Sequence, residues 1–336
     1  MVPQLNVDED PSSKIYEVIN EIVYPIFLTI TLIFHSVLLV FIIFFSPSHL
    51  NFLKFLLLTT SLLDVFATSI LFYIQPRILS EYQVNVPVYC YGPCREMNTQ
   101  FCFSLFMMWQ TVSIAVGISL TYTLYFKYHK LNSKGPLFGW KLVRSLFLFY
   151  IPCLVSMCCA FVVVLRNVLP NEELNKESFS DTRIEFTKIG NMKLGELPNR
   201  INFAMIAYAI YCSPIITFWF HWKTNKSLNN ALSGSSPYLR YHAKNVMMGI
   251  TIQVVMHFIF YIPFFTLYSY SLLTGTKIFV QQFFMAMSPN LAASFDPLIN
   301  LYFVVPYRTK IKSWFGKKHQ QTSTIRIASL TPSGYF

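Results

Sequence analysis

Charge is what this sequence has least of. Only 12% of its 336 residues are Asp, Glu, Lys or Arg, where soluble domains carry about 25%. What charge there is gathers between long stretches that have almost none. That excludes an ordinary water-soluble domain, which would need seven buried helices with no polar face. Apolar–polar alternation is missing as well, which excludes a transmembrane barrel. No nucleotide loop, catalytic triad or zinc-protease motif occurs, so an enzyme has no support. No internal repeat stands out, which argues against a transporter built from duplicated halves. The first twenty residues lack the basic n-region and small-residue cleavage site of a secretory leader and instead hold Asp8, Glu9, Asp10 and Glu17. The first apolar run is therefore expected to serve as an uncleaved signal anchor.

What is present is apolar bulk. Hydrophobic residues make up 54% of the chain, with 33 Phe and 20 Tyr. Seven runs, 22–45, 55–74, 101–126, 145–165, 201–220, 246–273 and 278–305, are each long enough as helices, at about 1.5 Å per residue, to cross a roughly 30 Å hydrocarbon core. The expected fold is an all-α membrane protein. It would have a tail at 1–21, a seven-helix domain at 22–305, a short amphipathic helix at 306–316 and a disordered tail at 317–336.

Loop charge orients the chain. With the N-terminus outside, the inner segments hold 16 Lys and Arg and no Asp or Glu, whereas the outer segments hold 10 cations beside 13 acids. Cations concentrate on the cytoplasmic side of membrane proteins, so the expected topology is N-terminus out and C-terminus in. The net charge of +11 then reads as a basic face over an anionic leaflet, with no nucleic-acid partner. Cysteine usage agrees. Cys90, Cys94 and Cys102 cluster ahead of the third run, on the oxidising side, where a disulfide is expected. All three pairings are open; Cys94–Cys102, which would pin the loop to the head of the third helix, is adopted, with Cys90 as the alternative partner. No His or fourth Cys accompanies them, so no metal is expected. Cys153, Cys158, Cys159 and Cys212 read as small packing residues, and His35 and His257 as satisfied packing histidines.

Seven helices with this orientation and a short inner tail have the architecture of a G-protein-coupled receptor. Three stretches make the resemblance specific: "YGPCREMNTQFC" before the third run, "DPLINLYFVVPYR" closing the seventh, and Asp64 in "SLLDVF" of the second. Over essentially the whole chain these resemble nematode serpentine chemoreceptors of the Str superfamily, most like class d (Srd). The resemblance implies a chemosensory receptor in the plasma membrane of sensory cilia, taking an external small molecule and signalling through a heterotrimeric G protein. Against rhodopsin-like receptors there are departures. The loop 166–200 has no cysteine, Lys127 stands where a motif arginine would be, and Tyr261 replaces a frequent tryptophan while Pro263 is kept. Asn300 falls where a tyrosine would fall.

Asp64 and Asp296 are the only carboxylates within the runs, and intramembrane acids are costly and mostly functional. With Pro297, Asn300 and Pro263 they form a candidate activation switch, the two acids sharing a proton or a bound Na+. Pro297 frees a backbone carbonyl, which Asp296 or a neighbour would have to accommodate. No other cofactor is expected. A pocket is expected to open outward between the third, fifth, sixth and seventh helices. Its candidate lining is Met107, Trp109, Gln110, Asn202, Met205, Tyr261, Phe264, Phe265, Tyr268, Gln282 and Met285. Such aromatic and Met-rich walls suit a small, fairly apolar ligand. Candidate contacts to the G protein or the inner leaflet are Lys127, Tyr128, Arg240, Lys244, Tyr307 and Arg308. Ile311, Trp314 and Phe315 fall on one side of the juxtamembrane helix, which suits a lipid surface. Two other classes remain in view. One is a ligand-gated cation channel of the seven-span odorant-receptor kind, which would need an inward N-terminus. The other is a secondary transporter using Asp64 and Asp296.

Overall fold

A computed structural model describes residues 11–46, 51–79, 85–132, 140–166, 187–231, 237–276 and 278–315. The tail expected at 317–336 lies outside the described residues. Helices α1 (Pro11–Phe45), α2 (Asn51–Ile74), α3 (Thr99–Asn132) and α4 (Trp140–Arg166) are followed by α5 (Leu197–Ala207) and α6 (Ser213–Ala231). A π-helical turn, Tyr208–Cys212, joins these last two. Then come α7 (Pro237–Phe260), α8 (Ile262–Thr274), α9 (Phe279–Phe303) and α10 (Val305–Phe315).

Six helical segments among the described residues are long and apolar enough to cross a membrane, from Glu21–Phe45 to Met247–Thr274. α9 is 25 residues long but more polar, because Gln281, Gln282, Ser288, Asn290, Ser294 and Asp296 all turn inward and are buried. It packs against α1, α2 and α7. The polarity that dilutes its apolar character belongs to the bundle interior, where intramembrane polar groups are tolerated. α3 is central: Phe106, Met107, Ile114, Tyr122 and Leu124 are nearly or fully buried, whereas Phe147, Met157, Phe161 and Leu165 of α4 are exposed. A bundle with apolar side chains on its outside suits a hydrocarbon solvent.

One end carries a sheet that the sequence reading did not anticipate. Strands β1 (Pro76–Ile78), β2 (Asn85–Cys90) and β3 (Thr187–Lys193) pair antiparallel in the order β1-β2-β3. Val86 faces Met192 and Cys90 faces Thr187 across the β2–β3 ladder. Val86, Val88 and Cys90 are fully buried, so a period-two apolar face packs onto the helices. Gly92, just past β2, sits so close to α2 that an added Cβ would fall 2.5 Å from the Tyr73 carbonyl oxygen. The ladder ties the segment after α2 to the one before α5. The missing loop cysteine therefore costs the fold no anchor: backbone hydrogen bonds supply it. Cys94, in the 3-10 turn Pro93–Glu96, and Cys102, in the first turn of α3, form a disulfide.

The opposite end is aromatic and basic. Phe41, Phe45 and Trp314 pack ring on ring, docking α10 on α1, and Tyr307 bonds Ser46 through its hydroxyl at 2.6 Å. Trp140, Trp219, Trp222 and Trp314 are all exposed here, with Lys223 over the Trp219 ring and Lys226 over Trp222. Such interleaving is typical of a membrane–water boundary.

Candidate ligand cavity and buried carboxylate pair

Three proline residues accompany backbone irregularities, and Pro214, Pro289 and Tyr261, at the break ahead of Pro263, all line one cavity. Pro214 has no N–H for the Ile210 carbonyl, and the preceding turn widens so that the Ser213 N–H reaches the Tyr208 carbonyl instead. A π turn of this kind is often found at functional sites. Pro263 stands in the first turn of α8 behind a break at Tyr261. Pro289, within α9, cannot engage Met285, and Ser288 Oγ donates to that carbonyl at 3.4 Å. The cavity between α3, the π turn, the α7–α8 break and α9 is lined by Trp109, Ser113, Gly117, Ala209, Tyr261 and Pro289, among others. It offers about 70 Å³, where one water needs roughly 10–15 Å³. Its walls are mostly apolar, and the hydroxyl of Thr217 is engaged in a bond to the Ser213 carbonyl at 2.7 Å.

Five of the eleven sequence candidates line this cavity: Trp109, Gln110, Tyr261, Phe265 and Met285. Met107, Met205, Phe264 and Tyr268 are not among its lining residues. Asn202 and Gln282 have other partners. Asn202 Nδ2 donates to Gln110 Oε1 at 2.8 Å and its Oδ1 accepts from Ser156 at 2.7 Å, binding α5 to α3 and α4. Gln282 Oε1 accepts from Arg77 at 3.4 Å, whose guanidinium lies 4.6 Å from the Phe283 ring centroid. Sequence reasoning missed Ser113, Gly117, Ala209 and Ser213. The Ser213–Pro214 pair was the one local signal that the fifth helix is irregular there.

Beside the cavity lies a polar core. Asp64 on α2 and Asp296 on α9 are 1% and 5% exposed and close enough for their charges to interact, and Tyr261 feels both. Gln253 hydrogen-bonds Asp296. Neither oxygen of Asp64 has a partner among the described residues, and Oδ1 of Asp296 has none either. Around them Thr31 bonds Ser294 at 2.6 Å and Thr68 donates to Asn290 at 3.4 Å. His35 Nε2 donates to the Ala293 carbonyl at 3.2 Å, and its Nδ1 bonds the Ser61 hydroxyl at 2.7 Å. Ala293 is the residue whose carbonyl Pro297 leaves free, so His35 closes the gap that the sequence reading had considered for Asp296. Pro297 is buried and Asn300 half-buried, while Pro263 is exposed.

The basic-end candidates divide too. Lys127 and Tyr128 are half-buried at the end of α3 and Lys244 is exposed. Tyr307 is buried, and burial pushes its phenol above the usual range. Arg308 lies over the Tyr302 ring at 5.8 Å and bonds Tyr241, whose phenol the Asn245 side chain and then Arg308 hold below its usual value. The Arg240 side chain lies outside the described residues, as do those of Phe315 and His257.

A bundle of apolar helices around a buried polar core and a mid-depth cavity defines a membrane receptor of the seven-helix type. The family of serpentine type 7TM GPCR chemoreceptors, Srd, matches residues 20–313, and this chain belongs to it. The chain is similar to serpentine receptor class delta-40 of Caenorhabditis elegans, 32% identical over 323 residues that cover 95% of this chain and 99% of that one. Class delta-44 of the same organism is 29% identical over 323 residues, 96% of this chain and 97% of its own. The protein is thus a multi-pass membrane protein of a receptor family, not an enzyme family.

Proposed function

We propose that this protein is a chemosensory receptor with its sheet-bearing end outside and α10 inside, that a small, fairly apolar molecule occupies the mid-depth cavity, and that the basic end engages a heterotrimeric G protein. The observation that carries the reading is the meeting of three backbone irregularities at one cavity. Helices weakened at the same level are elements whose balance a ligand could bias. The lopsided loop charge supports the orientation. Resemblance to the family supports a place in the plasma membrane of sensory cilia.

We infer further that Asp64 and Asp296 hold a shared proton or a bound Na+, because two buried carboxylates whose charges interact resist joint ionisation. Tyr261 touches the cavity and senses the pair, so ligand and pair would act on the same break in the sixth helix.

The test begins with epitope tags at both termini, stained in intact and permeabilised cells. The reading requires the N-terminal tag to be reached in intact cells and the C-terminal tag only after permeabilisation; the reverse pattern overturns it. Small apolar compounds are then screened with a G-protein activation readout, and Ala209→Phe, which fills the cavity, should abolish any response found. A response that survives Ala209→Phe places the ligand elsewhere. Replacing Na+ by choline while following thermal unfolding separates a bound cation, which shifts the midpoint, from a shared proton, which does not.

A further inference from the structure

The Cys94–Cys102 disulfide has a third sulfur beside it. Cys90 is a free thiol, and the Sγ atoms of Cys90, Cys94 and Cys102 all lie within 4.8 Å of one another. All three residues are fully buried. The arrangement is held by three separate elements. Cys90 closes β2 between Pro76 of β1 and Thr187 of β3; Cys94 sits in the 3-10 turn; Cys102 lies in the first turn of α3. A thiol packed against a disulfide is the reactant geometry of thiol–disulfide exchange.

We propose that Cys90, Cys94 and Cys102 form one exchangeable set with two disulfide isomers. In the step, the Cys90 thiol loses its proton and its sulfur attacks Cys94 Sγ. The Cys90–Cys94 bond forms as the Cys94–Cys102 bond breaks, and the electron pair leaves on Cys102 Sγ, which then takes up a proton. One disulfide and one thiol stand on each side, so no oxidant or reductant is consumed. Cys102 is the leaving sulfur because the first turn of a helix favours negative charge and a thiolate. Asn98 caps that turn, its side-chain oxygen accepting from the Gln100 N–H at 2.9 Å.

Two features hold the exchange back. The Cys90 thiol donates to the Ile74 carbonyl at 2.9 Å. Burial also pushes it up to about 12, and only the thiolate attacks. The native pairing is therefore long-lived and the second isomer is reached when β2 loosens or the pH rises. In that isomer no disulfide ties the head of α3 to the 3-10 turn. Trp109 and Gln110, about two turns further along α3, line the cavity, so the isomer ratio would set how firmly one cavity wall is held. The proposal does not depend on the ligand reading.

The experiment uses the full-length protein in detergent, incubated without added thiol at several pH values, quenched in acid, alkylated while denatured, and digested after Arg95. In the native isomer that cut leaves two peptides joined through Cys94 and Cys102. In the exchanged isomer they separate, and Cys102 carries the label. The labelled Cys102 peptide should appear with an initial rate that rises about tenfold per pH unit, and Cys90→Ser or Cys90→Ala should remove it. Cys102 that stays unlabelled at every pH overturns the proposal, as does label on Cys94 instead. Labelling of Cys102 undiminished in both Cys90 variants does the same.

Discussion

His35 on α1 donates from Nε2 to the carbonyl of Ala293 on α9 at 3.2 Å, the carbonyl that Pro297 leaves without a helical partner. The carbonyl can only accept, so Nε2 carries a proton, and Nδ1 bonds the Ser61 hydroxyl at 2.7 Å. One imidazole thereby joins α1, α2 and α9 close to the carboxylate pair.

His35→Ala should leave the Ala293 carbonyl and the Ser61 hydroxyl unpaired. Leaving a buried polar group unsatisfied costs about 1–3 kcal/mol, and bonds between membrane helices average about 0.6 kcal/mol, so a loss of roughly 1 kcal/mol is expected. Pro297→Ala restores an N–H four residues after Ala293. Made in the His35→Ala background, it should recover part of the loss. Thermal unfolding of the four proteins in detergent reads the cycle, and simple additivity of the two changes would break the link between this histidine and that kink.

Asp64→Asn and Asp296→Asn test the polar core separately. If the pair is a switch, each variant shifts ligand potency by about fivefold or more, the lower end of typical coupling between sites. The shift should occur at unchanged surface expression. Unaltered potency in both variants would leave the pair a static element.

Two glycines should behave oppositely. Gly92→Ala sets a methyl 2.5 Å from the Tyr73 oxygen, a backbone atom that cannot swing away, so surface expression should fall steeply. Gly117→Ala meets only the Ala209 oxygen, at 4.0 Å, so expression should hold. Because Gly117 lines the cavity, the added methyl should nonetheless weaken the response to any cavity ligand. Equal expression of both variants would mean that the sheet end tolerates displacement from α2.

The long helices and the Asp64–Asp296 pair were legible because each is written locally, in an uncharged run or a lone acid within one. The sheet was not. β1 has three residues, and β2 pairs with a partner roughly a hundred residues away, so no local periodicity announces the ladder. The cavity lies among the helices expected for it, with a lining that differs in part from the expected one. The sequence reading had Asn202 and Gln282 among the candidate lining residues. Asn202 instead completes a buried bond set with Gln110 and Ser156, and Gln282 accepts from Arg77. The cavity lies where Pro214, Pro263 and Pro289 disturb their helices, and only Pro263 had been weighed for function. His35, read as a satisfied packing histidine, is satisfied by Ser61 and by the freed carbonyl, the latter a pairing between positions that no spacing in the sequence connects.

Four exposed tryptophans at the α10 end fix the depth of that end, since indole rings hold to the headgroup level. The fifth, Trp109, is buried. Anchored on one leaflet, the bundle would absorb a change in bilayer thickness at the other, by tilting or by drawing the sheet toward the hydrocarbon. Thin and thick membranes would then present the same basic surface to a partner while differing in how far the sheet stands clear of the lipid.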